Sequence, residues 1–208
     1  MAVIGVKHLV FAPISAMSTG SRPTYGTGQI LAKLTKVDYE PNVVDGTFYA
    51  DDVLCEEEHY VSGGSLKIGV ADFALDAHKS VFGNKTSTVS TVKELYKGSD
   101  DTAPYVGVGY IVPKKVNGSK VYEARFLLKV MFKEPSASAE TKGESIAFQG
   151  MEIEGSFSPV EGYEGDRYIE IAEFPTETAA IEWLNTKAHV SGASLAAAAS
   201  APATTSNK

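Results

Sequence analysis

The chain has 208 residues, of which 43% are hydrophobic, and its formal net charge is -7. This length and apolar content suit one domain with a hydrophobic core and exclude intrinsic disorder of the whole chain. The acidic balance disfavours a protein that grips nucleic acid or anionic lipid.

The beginning of the chain is not expected to act as an export signal. Met1–Met17 mixes apolar residues with Lys7 and His8, which predicts a strand and a turn, not a signal peptide. Cys55 is the single cysteine, so no internal disulfide can form and stability must come from packing. No apolar run approaches the length needed to span a membrane. We therefore expect a soluble protein that is made in a reducing cytosol.

In the first half of the chain, the alternation of apolar residues predicts four strands. They cover Ile4–Phe11, Ile30–Asp38, Gly46–Ala50 and Gly64–Val70. A short helix over Phe73–Phe82 follows, with Asp72 as its N-cap and Gly83 as its stop.

The middle of the chain predicts a long hairpin. Strands over Pro104–Pro113 and Val121–Lys133 flank Asn117-Gly118, a dipeptide that tolerates positive φ in a tight turn. The even positions of the second strand are apolar or small and predict one buried face, while the odd positions form a mixed face. Glu123 and Arg125 lie on that mixed face, which we expect to be wetted.

A second long strand is predicted over Glu144–Ser158, where the phase of the apolar positions changes at Gln149-Gly150 and indicates a β-bulge. Glu152 and Glu154 belong to its wetted face. The polar loop Glu134–Gly143 joins the two long strands and either is idle or reaches a neighbouring subunit.

The chain ends with a helix and a tail. Thr176 caps a helix over Thr176–Asn185, and we expect Trp183 to anchor this helix on the sheet. Residues 189–208 are rich in Ala, Ser and Thr, and they predict a flexible tail behind a β domain of residues 1–188. Loss of Thr186–Lys208 is expected to leave the fold intact.

One acidic cluster stands out between the early strands. It consists of Asp51, Asp52, Glu56, Glu57, Glu58 and the neighbouring His59. A metal site is one interpretation, but in an extended chain alternate residues point to opposite sides, and no glycine-turned loop wraps the acids around an ion. A solvated or inter-subunit acidic patch is the favoured alternative.

No motif for catalysis or cofactor binding is visible. The acids that follow Cys55 disfavour its thiolate, and the four histidines are scattered without a nucleophile beside them. Gly107-Val108-Gly109 lies in a predicted strand and lacks the third glycine and the following helix of a dinucleotide loop. The sequence therefore predicts no enzyme and no cofactor.

Short segments along the chain form an ordered set. They are Ile4–Lys7 with Ala12-Pro13, Tyr49–Asp52 with the acidic run, Ser62–Gly64, Ile68–Asp72, Ser99–Val106, Phe132–Pro135, Glu140–Gly143 and Ile153–Gly155. This set spans about nine-tenths of the chain. In its content and order it resembles the major tail protein (tail tube protein) family of siphophages, particularly the branch from phages of Gram-positive bacteria.

The resemblance implies a mainly β subunit: a tail-tube-type β-sandwich or half-barrel with one or two short flanking helices and a long inter-strand loop. Family members form hexameric rings whose inner strands join into one continuous β-barrel. The rings stack around a tape-measure protein, and DNA later passes through the bore without specific binding. The implied partners are further copies of the chain, the tape-measure protein and the tail terminator and distal tail proteins. The implied location is the virion tail, assembled in the host cytoplasm.

Two sets of residues are candidates for contacts between subunits or rings. One is the acidic patch Asp51, Asp52, Glu56, Glu57 and Glu58, and the other is the loop with Glu134, Pro135, Glu140 and Lys142. An acidic or neutral bore would avoid trapping DNA through its phosphates. The alternative function is a β-sandwich ligand-binding or adhesion module, with or without calcium dependence through residues 51–58.

Overall fold

The computed structural model describes residues 2–31, 33–50, 53–71, 73–89, 92–136 and 150–191, without the side chains of residues 48–50, 53–56 and 89. Its fold is mainly β, as predicted, with two short helices. The strands are β1 (Ala2–Val3), β2 (Lys7–Ala16), β3 (Thr24–Tyr25), β4 (Gln29–Ile30), β5 (Leu34–Ala50), β6 (Val53–Val70), β7 (Lys85–Val89), β8 (Val92–Tyr96), β9 (Tyr105–Val116), β10 (Ser119–Phe132), β11 (Met151–Phe157) and β12 (Ile169–Phe174). The helices are α1 (Leu75–Phe82) and α2 (Glu177–Lys187).

Ten of these strands form one antiparallel sheet with the order β3-β2-β9-β10-β11-β6-β5. The short strands β1 and β4 pair with β9 and β2, and β12 pairs with β10 beside β11. Strands β7 and β8 form a separate hairpin. The main sheet is therefore an open sheet whose long strands lie at its centre and at the β5 border.

The predicted central hairpin is confirmed. β9 and β10 are joined by Asn117 and Gly118, which have φ values of 49° and 87°. Positive φ at both central residues is the signature of the turn that matches the right-handed twist of a hairpin.

The early strands are longer than their sequence pattern indicates. The two predicted strands over Ile30–Asp38 and Gly46–Ala50 are parts of the single strand β5, and the acidic run lies in β6. The prediction of separate short strands is wrong, because Glu40–Asp45 breaks the apolar alternation although its backbone continues to pair with β6.

A bulge in β10 changes which face of the sheet its side chains occupy. The register with β9 shifts between Leu127 and Val130. Phe126 and Leu128 pack in one hydrophobic cluster, whereas Val130 packs in the other. The prediction of a single buried even face through Phe132 is therefore wrong, since a bulge residue reverses the parity of everything after it.

The two clusters lie on opposite faces of the sheet. One contains Phe11 of β2 together with Val37 and Tyr39 of β5, so the sheet curves until its two ends share a core. Helix α1 covers this cluster through Val81. The second cluster is covered by α2, whose Leu184 is fully buried. This arrangement agrees with the expected half-barrel with flanking helices.

The helix boundaries follow the predictions in part. The Thr176 hydroxyl accepts a hydrogen bond from the Ala179 amide at 3.4 Å, as predicted for an N-cap. Helix α1 begins later than predicted, at Leu75, with Ala74 as an N-cap that makes no side-chain bond; Asp72 lies outside the described residues. Gly83 ends α1 in the left-handed conformation, as predicted.

The final described residues contact the sheet. Trp183 of α2 packs on Phe174 with ring centroids 6.0 Å apart, which confirms its anchoring role. Beyond α2, His189 contacts the Tyr25 carbonyl at 3.1 Å and Val190 forms a parallel bridge with Gly28. Among the described residues, neither helix has the length and apolar character needed to cross a membrane.

Candidate assembly surfaces

Strand β5 forms one border of the main sheet. It is 17 residues long, and within the described chain its backbone pairs on one side only, with β6. Pro41 lies inside it. Proline has no N–H to donate to a ladder, so it suits a border strand and not a strand that pairs on both sides. A long strand border of this kind is a template for pairing with another chain unless it is covered.

Beyond Asn42 and Gly63, the β5–β6 hairpin leaves the rest of the sheet. We call this part, residues 43–50 and 53–61, the arm. β11 pairs with β6 only from Gly64 to Val70, so the described arm pairs only with itself. At about 3.3 Å per residue the arm is roughly 25 Å long.

Two adjacent glycines lie at the base of the arm, where it leaves the sheet. Gly63 has a φ of 142°, and a Cβ there would lie 2.6 Å from the Phe157 carbonyl oxygen. A Cβ on Gly64 would lie 2.3 Å from both the Glu40 carbonyl oxygen and the Phe157 ring. Any larger residue would therefore force the arm away from β11.

The predicted acidic patch lies on the arm. Glu57 and Glu58 are exposed, on opposite faces of β6. The side chain of Glu56 is not described, and Asp51 and Asp52 lie outside the described residues. His59 links two acids, with its Nδ1 2.7 Å from Asp45 and its Nε2 3.2 Å from Glu57.

The predicted loop is described only at its start. Glu134 forms an ion pair with Lys97 at 2.5 Å and accepts a 3.4 Å hydrogen bond from the Asn84 amide. Pro135 is half-buried, whereas Glu140 and Lys142 lie outside the described residues, as do Gln149 and residues 144–148 of the predicted second long strand.

The outer face of β5, β6 and β11 is polar and exposed. Asp38, Lys67 and Glu154 form one cross-strand row, in which the Lys67 ammonium lies 2.6 Å from Glu154. The exposed charged residues of this face are Lys36, Asp38, Glu40, Lys67, Glu152 and Glu154. This face is wetted and acidic in balance, as predicted for Glu152 and Glu154.

The same prediction is wrong for Glu123. Its side chain is buried between β9 and β10, with Lys114 and Arg125 as ion-pair partners. Burial disfavours the charged carboxylate, but the hydrogen bonds from Lys114 and Arg125 outweigh burial and hold the pKa of Glu123 below its ordinary value. Glu123 thus belongs to a buried charge cluster and not to a wetted surface.

A hollow lies where β5 and β6 meet β11. The hollow beside the base of the arm has a volume of about 370 Å³ and is lined by Glu40, Asn42, Ser62 and their neighbours. Within the described ranges, no group of three or more His, Cys, Asp or Glu side chains is placed to hold a metal ion.

No protein-family model matches the chain, and no curated protein matches it. Any functional assignment therefore rests on the residues and the geometry described above.

Sequence reasoning missed several exposed apolar residues beside these surfaces. Val43 and Tyr60 on the arm are 50% and 58% exposed, and Val3 and Ile4 at the start of the chain are 62% and 54% exposed. β-branched and aromatic residues at 43, 44, 60 and 61 are the local signal that the strands continue into the arm.

Proposed function

We propose that the chain is the tube-forming structural subunit of a siphophage tail. Copies join into hexameric rings, and the rings stack around a tape-measure protein and later conduct DNA. The protein acts by assembly and carries out no catalysis. The observation that carries the proposal is the 17-residue border strand β5, paired on one side only within the described chain.

A closed ring of copies would leave no unpaired strand border. Pairing β5 with the sheet of the next copy would satisfy its outward backbone groups, and closing the ring would remove the borders altogether. The arm supports the same proposal, because a hairpin that leaves the body of its own subunit is available to a neighbour.

The exposed face of β5, β6 and β11 has the character that a DNA-conducting bore requires. Its two lysines, Lys36 and Lys67, are each within 2.6 Å of an acid, Asp38 and Glu154 respectively. Lysines that are already paired release fewer counterions from a passing duplex, so the summed attraction over many rings stays small. We therefore assign this face to the bore.

Two measurements test the assembly. Negative-stain electron microscopy of the purified protein is expected to show rings or tubes. Hydrogen exchange is expected to show that those β5 amides of residues 34–42 that point away from β6 exchange quickly in the monomer and slowly in the assembled form, because pairing with a neighbour protects them. Monomers under all conditions would overturn the proposal.

The alternative of a ligand-binding or adhesion module makes a different prediction. A calcium-dependent rise in melting temperature of the monomer, together with an absence of rings, would favour that class. If rings form but the β5 amides that point away from β6 stay unprotected, the assembly is retained and strand pairing at this border is rejected.

A further inference from the structure

Lys115 and Lys120 are directly opposite each other across the end of the β9–β10 hairpin. Both side chains are exposed, and neither forms an ion pair with any part of the chain that the structure describes. Like charges directly opposite in a ladder destabilise it. In the described sheet, this is the one pair of lysines placed opposite each other.

This pair is flanked by exposed apolar residues. Ala2 of β1 lies opposite Lys115, so Ala2, Lys115 and Lys120 form one row across three strands. Val3 and Ile4 follow directly and are 62% and 54% exposed. We call residues 2–4, 115 and 120 the basic edge.

The arm presents the complementary combination. Its exposed acids are Asp45, Glu57 and Glu58, and its exposed apolar residues are Val43 and Tyr60. Further acids in the same stretch of the sequence are Asp51, Asp52 and Glu56. Each surface thus joins apolar residues to charges of one sign, and the two signs are opposite.

We propose that the arm of one copy docks on the basic edge of another copy. This inference rests on the proposed function, since it names the contact that the acidic patch makes when copies assemble. One face of the arm carries Asp45 and Glu57 with Val43, and the other carries Glu58 with Tyr60. The carboxylates of the docked face would neutralise the opposed lysines, and its apolar residue would cover Ile4. The contact is heterologous, so it links copies in a head-to-tail series.

Charge reversal tests the pairing. The variants are K115E/K120E on the basic edge, E57K/E58K on the arm, and the combination of all four substitutions. K33E/K79E is the matched control, because Lys33 and Lys79 are exposed and have no ion-pair partner among the described residues. Assembled fraction is measured by sedimentation and electron microscopy, and folding by thermal melting.

Each two-site reversal is expected to lower the assembled fraction at least about tenfold, because it places like charges against each other across the contact. The four-site combination is expected to restore assembly, and the control is expected to assemble like the wild type. All variants are expected to melt as the wild type does, since the reversed side chains are exposed.

The other outcomes are decisive as well. Normal assembly of K115E/K120E overturns this docking while leaving the proposed function in place. If E57K/E58K alone loses assembly, the arm binds a different surface. Failure of the four-site combination to recover also overturns it. A wild type that never assembles overturns the proposed function and this inference together.

Discussion

Glu123 and Lys114 form an ion pair between the two central strands of the sheet, and each residue is only 8% exposed. Arg125 is a second partner of the same carboxylate, with its Nε 2.6 Å away. Because two cations surround this one buried acid, removal of the carboxylate would leave uncompensated positive charge in a poorly solvated place.

The substitution E123Q is therefore expected to destabilise the fold. Breaking a buried ion pair from one side costs about 3 kcal/mol or more, because the remaining charge is uncompensated. The exposed pair of Lys67 and Glu154 supplies the control, and E154Q is expected to change stability far less. Urea unfolding of the monomer measures both, and equal effects would contradict the buried role of Glu123.

The pH dependence of stability follows from the same residue. The pKa of Glu123 is lower in the folded protein than its ordinary value, so its contribution is complete above the ordinary glutamate value and is lost as the pH falls through the folded value. E123Q is expected to show a shallower loss of stability over this acidic range than the wild type. Parallel curves for the two proteins would show that other groups control acid unfolding.

The close packing of Gly64 at the base of the arm can be tested with alanine. G64A places a methyl group against the Glu40 carbonyl and the Phe157 ring, and overpacking of this kind costs about 1–3 kcal/mol. G46A is the control, because the nearest atom to its Cβ is the Glu58 carbonyl oxygen at 3.8 Å. Thermal melting is expected to place G64A below both G46A and the wild type.

Two truncations locate the end of the folded domain. Lys187 pairs with the buried Glu170 at 2.7 Å, and Ala188 is fully buried. We expect deletion of residues 192–208 to leave the melting temperature unchanged and deletion of residues 187–208 to lower it by roughly 5 °C or more. This revises the expectation that the chain tolerates loss from Thr186 onward. Equal melting of both truncations would contradict the role of these contacts.

Removal of the arm separates folding from assembly. Replacing residues 43–61 with Asn-Gly joins Asn42 to Ser62 by a two-residue turn and keeps the pairing of β6 with β11. The variant is expected to fold as a monomer, with a circular dichroism spectrum typical of β structure, and to form no tubes. Tubes that assemble normally without the arm would show that other surfaces carry the contacts.

The features that the sequence predicts correctly depend on neighbouring residues. The Asn117-Gly118 turn and the Thr176 cap each follow from the chemistry of a few consecutive side chains. The alternation in the strands likewise reports the local pleat.

The features that the sequence misses depend on distant parts of the chain. Nothing near Glu123 shows that Lys114 will enclose it, because that contact needs the hairpin to close first. The bulge after Leu127 shifts the register without a glycine or proline to mark it. For the candidate site, the sequence located the acids of the arm, but the facing lysines 115 and 120 become a pair only through the register of two strands.

The bulge in β10 also determines how the subunit unfolds. One continuous strand supplies Leu128 to the cluster that α2 covers and Val130 to the cluster that α1 covers. Neither cluster can therefore loosen without disturbing the backbone that holds the other. The subunit should thus lose both cores in one cooperative transition, and a ring would be built from copies that are either wholly native or absent.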